Sequence, residues 1–234
     1  MNVHLLCFAL VLTATSVARA GPPRGSDFLH SYKGRPYHDA RYNAGAQKIP
    51  GKVMCAYYDL GGEGVAYHDT DAKNNGSGAL NPADGTYLNQ FRMGEGVDTS
   101  YTKFKRDPQI DDTQYDKASP PADLLYVGWT VPGEWFNLTV EVAKAGDYSA
   151  DLLYTSNRGG TISIDVNGMP ATGSLAIPTT YEANDPVAWR QWHHWNTVPD
   201  LARLHLTKGK NVLTIHIVEQ GQMNLASFDF KKAH

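Results

Sequence analysis

Trp189, Trp192 and Trp195 stand three residues apart in the segment Trp189-Arg190-Gln191-Trp192-His193-His194-Trp195-Asn196. No other stretch of the chain sets so many large aromatic rings beside amides and imidazoles. That combination suits the holding of a sugar. A pyranose has an apolar C–H face that stacks on an aromatic ring, and a rim of hydroxyls that pairs with amides, carboxylates or imidazoles. If part of the segment is extended, alternation puts Trp192 and His194 on one face and His193 and Trp195 on the other. One tryptophan can then enter a core while another stands at a rim. The competing expectation is that all three are core residues, as most large aromatics are. His193 and His194, pointing apart, do not make a shared metal site.

Other chemistries find less support. The chain has no Gly-x-Ser-x-Gly elbow, no His-Glu-x-x-His pair and no phosphate loop. Hydrolysis of a glycosidic bond needs two carboxyl groups flanking it. Glu63, Asp69, Glu95, Asp98 and Glu134 are available, but none sits in a motif that ties it to catalysis, so no catalytic residue is assigned. Asp107, Asp111 and Asp112 read as a solvated acidic loop rather than a calcium site. The net charge of -3 and the scattered basic residues leave no electrostatic footprint for nucleic acid. Cys55 lies in the apolar run Val53-Met54-Cys55-Ala56-Tyr57-Tyr58 and reads as a small core hydrophobe.

The elements that must position these residues are strands. Residues 1–20 have the apolar run and the Ala18-Arg19-Ala20 ending of a secretory signal peptide, so the mature chain is expected to begin at Gly21, secreted or periplasmic. Cys7 leaves with that peptide, and the run is too short for a membrane anchor. Residues 21–50, rich in Gly, Pro, Arg and Tyr without a sustained period, read as a linker or an arm laid on the domain surface. Residues 61–121 read as loop, and loops that long in a compact domain usually carry function.

Beyond residue 123 apolar and polar residues alternate. Phe136, Leu138, Val140 and Val142 form one series, Tyr148, Ala150, Leu152 and Tyr154 a second, Ile162, Ile164 and Val166 a third, Leu213, Ile215 and Ile217 a fourth. The dipeptide Asn167-Gly168 suits a tight hairpin. Helical periodicity is absent. Short alternating strands separated by turn signals predict an all-β fold, an antiparallel β-sandwich, over residues 51–232.

Several motifs, in order over residues 50–230, resemble carbohydrate-binding module family 6. They are Gly61-Gly62-Glu63-Gly64-Val65-Ala66-Tyr67-His68-Asp69-Thr70-Asp71, Phe91-Arg92 followed by Glu95-Gly96-Val97-Asp98, Val127-Gly128-Trp129-Thr130-Val131-Pro132-Gly133-Glu134-Trp135-Phe136, and Met223-Asn224-Leu225. The resemblance implies a jelly-roll, galactose-binding-like sandwich and a sugar site in loops at one edge. It implies that Phe91 and Trp192 clamp one sugar ring, with Trp189 and Trp195 as substitutes for Trp192, while Asn224 and His68 bond the hydroxyls. The family's structural calcium positions read Met54, Ala56 and Ala226 here, which supply no hard oxygen ligands; no metal and no cofactor is expected.

The expected function is therefore that of a secreted, non-catalytic protein that holds a poly- or oligosaccharide and can act beside glycoside hydrolases, with neither nucleic acid nor membrane as partner. Two competing expectations are a small glycan-cleaving enzyme using an acidic pair and a structural or adhesive surface protein. The last would show a large exposed apolar patch.

Overall fold

The computed structural model describes residues 25–233; the expected signal peptide and cleavage site lie outside them. Among the described residues no helix is long and apolar enough to cross a membrane.

The alternating segments become long strands: Trp135–Val142, Gly146–Ser156, Gly160–Val166, Asn196–Leu206, Gly209–Glu219 and Met223–Lys232. In Gly146–Ser156, Tyr148, Ala150, Leu152 and Tyr154 point inward and are buried, as their period requires. One sheet runs in the order Gln47–Ile49, Trp135–Val142, Gly209–Glu219, Gly160–Val166, Met169–Pro170. The other runs Asn196–Leu206, Gly146–Ser156, Met223–Lys232, Leu125–Val127, Thr99–Tyr101. Their inner faces share one core, with Leu138, Ile164 and Ile215 from the first sheet against Leu152, Leu204 and Phe228 from the second. This is an antiparallel β-sandwich with one small exception: Gln47–Ile49 lies parallel to Trp135–Val142. The hairpin at Asn167 and Gly168 has φ of 53° and 72° at the two residues, the left-handed pair that a type I′ turn demands.

Two features depart from the sequence expectation. A short helix, Gly25–Ser31, opens the described arm. Its Phe28 sits so close to the hairpin that a Cβ at Gly168 would stand 2.4 Å from the Phe28 ring. The strand Trp135–Val142, expected from its alternation to be half-buried, is covered on both faces from Phe136 to Val140. Asn137 donates to Val65 O, and Thr139 donates through its amide and hydroxyl to the buried Asp59 carboxylate, which also accepts from Tyr32 of the arm. Burial raises the Asp59 pKa, and these donors work against that shift. Cys55 is a buried free thiol, pushed up in pKa by burial, as suits a core hydrophobe.

Candidate functional site

The expected clamp is not assembled. Phe91 is 2 % exposed and lies in a separate aromatic cluster with Tyr37, Tyr42, Tyr57 and Tyr87. The cause is the arm: Tyr37 and Tyr42 stack on Tyr57 with ring centroids 5.3 and 4.3 Å apart, and Tyr37 closes over Phe91 at 5.6 Å. A ring so covered has no face to offer a ligand, which corrects the expectation for Phe91. Phe91→Leu should accordingly cost about 1 kcal/mol in stability and leave glycan affinity unchanged. Denaturant unfolding and calorimetry check this, and a loss of affinity without a loss of stability would reverse the correction. The neighbouring Arg92 is a structural clasp. Its guanidinium lies over the Tyr58 ring and bonds Tyr58 O, Asp59 O and Glu95.

His68 is exposed and tied to Glu63 through Nδ1 at 2.5 Å, a hydrogen bond that raises the imidazole pKa. It does not line the cavity that Trp192 borders. Asn224 is fully buried and cannot reach a ligand directly. Its Oδ1 accepts from the Trp129 amide at 3.2 Å, and its Nδ2 donates to Thr155 Oγ1 at 2.8 Å and to His193 Nδ1 at 2.9 Å. Trp129 holds φ of 47°, an uncommon conformation for a bulky residue, so this bond helps to fix it. A Cβ at Gly128 would come within 2.8 Å of Asn224 Oδ1. Glycine is therefore what lets the Gly128-Trp129 turn lie on the asparagine.

The structure instead gathers three tryptophans around a cavity of about 500 Å³ beside the Thr99–Tyr101 edge of the second sheet. Trp129, Trp189 and Trp192 border it, with Asn81, Ser100 and His193 as neutral polar neighbours. The tryptophan-rich segment is not a strand. Ala188–Arg190 is a 3₁₀ turn that turns Trp189 outward, 53 % exposed, and Arg190 inward. Trp192 is half-buried, and Trp195 is fully buried against Tyr126 at a 5.3 Å centroid distance. The division between core and rim tryptophans thus holds, although a turn produces it rather than alternation.

Two buried carboxylates hold these loops. Asp185 binds Arg190 through both oxygens, at 2.6 and 2.8 Å, and Arg190 also reaches Gln109 O. Asp111, read from sequence as solvated, is 1 % exposed and is a hub. It accepts from the Lys103 amide at 2.6 Å, from His193 Nε2 at 2.7 Å and from the Trp195 indole at 2.8 Å. Burial alone would raise its pKa, but the His193 hydrogen bond, with the indole and amide donors, brings it below the usual carboxylate range. The pattern assigns the His193 tautomer: Nδ1 accepts from Asn224, so Nε2 carries the proton given to Asp111. Asn224 therefore positions His193 and Trp129, and through His193 it meets Asp111.

Lys103 also borders the cavity, half-buried. Its Nζ donates to Ser100 Oγ at 3.2 Å and Tyr101 O at 3.4 Å and stands 4.2 Å from the centre of the Tyr101 ring. Trp129, Lys103 and Asp111 were not among the residues expected to build the site. Trp129 carried a signal in its motif; Lys103 and Asp111 lie in a loop of no recognisable pattern.

Where the resemblance placed calcium, Met54 and Ala226 pack with Leu124, Tyr126, Leu153 and Trp195, and Ala56 packs with Phe91 and Tyr37. Among the described residues no group of three or more His, Cys, Asp or Glu side chains is placed to hold a metal ion.

No family model and no curated protein matches the chain. Among solved structures the chain has low-scoring likenesses to carbohydrate-binding modules and to a glycoside hydrolase. The chain is similar to a family 35 carbohydrate-binding module from Clostridium thermocellum, with 19% identity over 53% of this chain and 88% of that one, at a TM-score of 0.39. It is similar to the C-terminal family 6 module of the laminarinase LamC from Zobellia galactanivorans, with 20% identity over 46% and 80% of the two chains, at 0.37. A family 43 arabinoxylan arabinofuranohydrolase from Bacillus subtilis matches at 11% identity over 85% of this chain and 33% of its own, at 0.45. These likenesses do not single out family 6.

Proposed function

We propose that this is a secreted, non-catalytic carbohydrate-binding protein, related to family 6 modules, that seats a poly- or oligosaccharide in the cavity of Trp129, Trp189 and Trp192. The observation that carries this reading is the convergence of three tryptophans from two loops, Trp129 from one and Trp189 and Trp192 from the other, on one cavity with Asn81, Ser100 and His193 at its edge. Large aromatic surface with a few polar groups is the usual make-up of a small-molecule site. Two supports of the sandwich, Asp111 and Asp185, hold the loops that carry it.

The non-catalytic part of the reading draws on the carboxylates. Asp107 is the one carboxylate bordering this cavity, and Glu134 and Asp98 are engaged in holding loops. Glu134 accepts from Thr70 and Val131, and Asp98 accepts from the Asn75 amide. The hydrolase reading has one observation in its favour. Asp69 is pushed up to about 7 by burial, with the charges of Glu134, Asp98 and Asp71 adding to the shift and the Asp71 amide opposing it. A carboxyl protonated near neutrality suits a general acid, yet Asp69 borders none of the larger cavities. A glycan array probed with the secreted protein, followed by calorimetry and an assay for released reducing ends, tests both. Binding without release supports the module, release identifies an enzyme, and no binding to any glycan overturns the proposal.

A further inference from the structure

Beside the tryptophan cavity lies a second one, also about 500 Å³, bordered by Asn89, Tyr101, Lys105, Ala122 and Asp123. The two share Leu80, Asn81, Lys103 and Arg106 as a common border. Resting on the carbohydrate-binding reading, we infer that the glycan is anionic, and that its carboxylate or sulfate group sits at this shared border against Lys103 and Arg106.

The inference begins with a cation that lacks a counter-ion. An ammonium has three donors and is costly to desolvate without a partner. Lys103 Nζ has two long hydrogen bonds, both to neutral oxygens, and it belongs to none of the ion pairs among the described residues. The nearby carboxylate, Asp111, spends its oxygens on the Lys103 amide, His193 and Trp195. Burial is the leading cause that lowers the Lys103 pKa to about 8; Asp111 opposes the shift and Arg106 adds to it. A half-buried cation in that state gains from an incoming anion both charge pairing and a strong hydrogen bond.

The surroundings agree. Arg106 is exposed and likewise outside those ion pairs, and its planar fork suits a carboxylate or a sulfate. Lys105 lines the outer cavity. The carboxylates of Asp107 and Asp123 lie on the two sides rather than on the shared border. A chain crossing from one cavity to the other can therefore stack one residue on tryptophan and set the charged group of a neighbouring residue between Lys103 and Arg106. Repulsion from Asp107 and Asp123 is met by three cations, so selection falls on where the charge sits along the glycan.

Titration of the full-length secreted protein with polygalacturonate, κ-carrageenan and the neutral glucan laminarin separates the outcomes. At least one anionic polymer should bind tenfold or more tightly than laminarin, and its affinity should fall when salt is raised from 50 to 500 mM. Preference for polygalacturonate assigns a carboxylate, and preference for carrageenan a sulfate ester. Lys103→Gln should remove most of the preference for the anionic polymer over laminarin. Lys103→Arg should keep it, and the exposed Arg106→Gln, which threatens no packing, should lower it several-fold. Affinity for the anionic polymer should also fall as pH rises from 7 to 9, as Lys103 loses its proton. Equal, salt-insensitive affinity for laminarin would overturn the anionic inference and leave the carbohydrate-binding reading standing; no binding in any arm or on the array would remove both.

Discussion

Asp185→Ala is expected to lower the melting temperature by about 6–12 °C, the equivalent of about 3 kcal/mol for a domain of this size. The Asp185 side chain is fully shielded and that of Arg190 nearly so. Removing the carboxylate strands a guanidinium whose remaining partner is Gln109 O. Asp185 also accepts from the Val187 amide at 2.9 Å, so the turn that carries Trp189 loses its base as well. Asp185→Asn keeps the shape without the charge and should fall between the two. The pH dependence follows in sign. The Arg190 hydrogen bonds hold the Asp185 pKa below its ordinary value, so this stabilisation is complete above about pH 4 and fades as pH falls through the lowered folded-state value. Scanning calorimetry of the two variants at pH 7 and pH 3 checks both points. A melting temperature within a degree of the parent at pH 7 would show that the ion pair is not what fastens this loop.

Trp192→Ala is expected to weaken binding of the glycan found on the array by thirtyfold or more, since truncating a central aromatic anchor costs at least about 2 kcal/mol. Trp192 is the better buried of the two tryptophans that the 189–192 turn presents, and its ring stands at 90° to the His193 imidazole, 5.6 Å between centroids. Its orientation is therefore fixed before the ligand arrives. Trp189, more exposed, should matter less: a few-fold loss in Trp189→Ala. Circular dichroism must show the parent fold in each variant. Parental affinity in both would move the sugar site away from this cavity.

The sandwich could be foreseen because its information is local. The series from Phe136 to Val142 and from Tyr148 to Tyr154 announce their inward faces through a period of two, and Asn167-Gly168 announces its hairpin. The exposure of Phe91 could not be foreseen in the same way. Whether that ring faces water is decided by Tyr37 and Tyr42, about fifty residues earlier, in a segment with no period to reveal where it docks. Asn224 shows a second limit. Its motif marked it as important, and it is, but its partners Trp129 and His193 come from distant loops, so a contact that supports the site was read as a contact with the ligand. Asp111 shows a third. Beside Asp107 and Asp112 it looked like one of several solvated acids, and only His193 and Trp195, more than eighty residues on, give it a buried role. The three tryptophans left a compositional trace; Lys103, Asp111 and the tyrosines of the arm did not.

The hub at Asp111 has a thermodynamic consequence. Lys103 stands on one wall of the cavity and His193 on another, and a single carboxylate grips both, along with the indole of Trp195. Neither wall can move without breaking a bond to a buried charge. The ordering of both is therefore settled when the chain folds, and a ligand meets surfaces that have little conformational freedom left to lose. Such a receptor selects by shape: glycans whose free conformation already fits the two cavities bind best, and flexible chains that must straighten to fit carry the ordering entropy themselves.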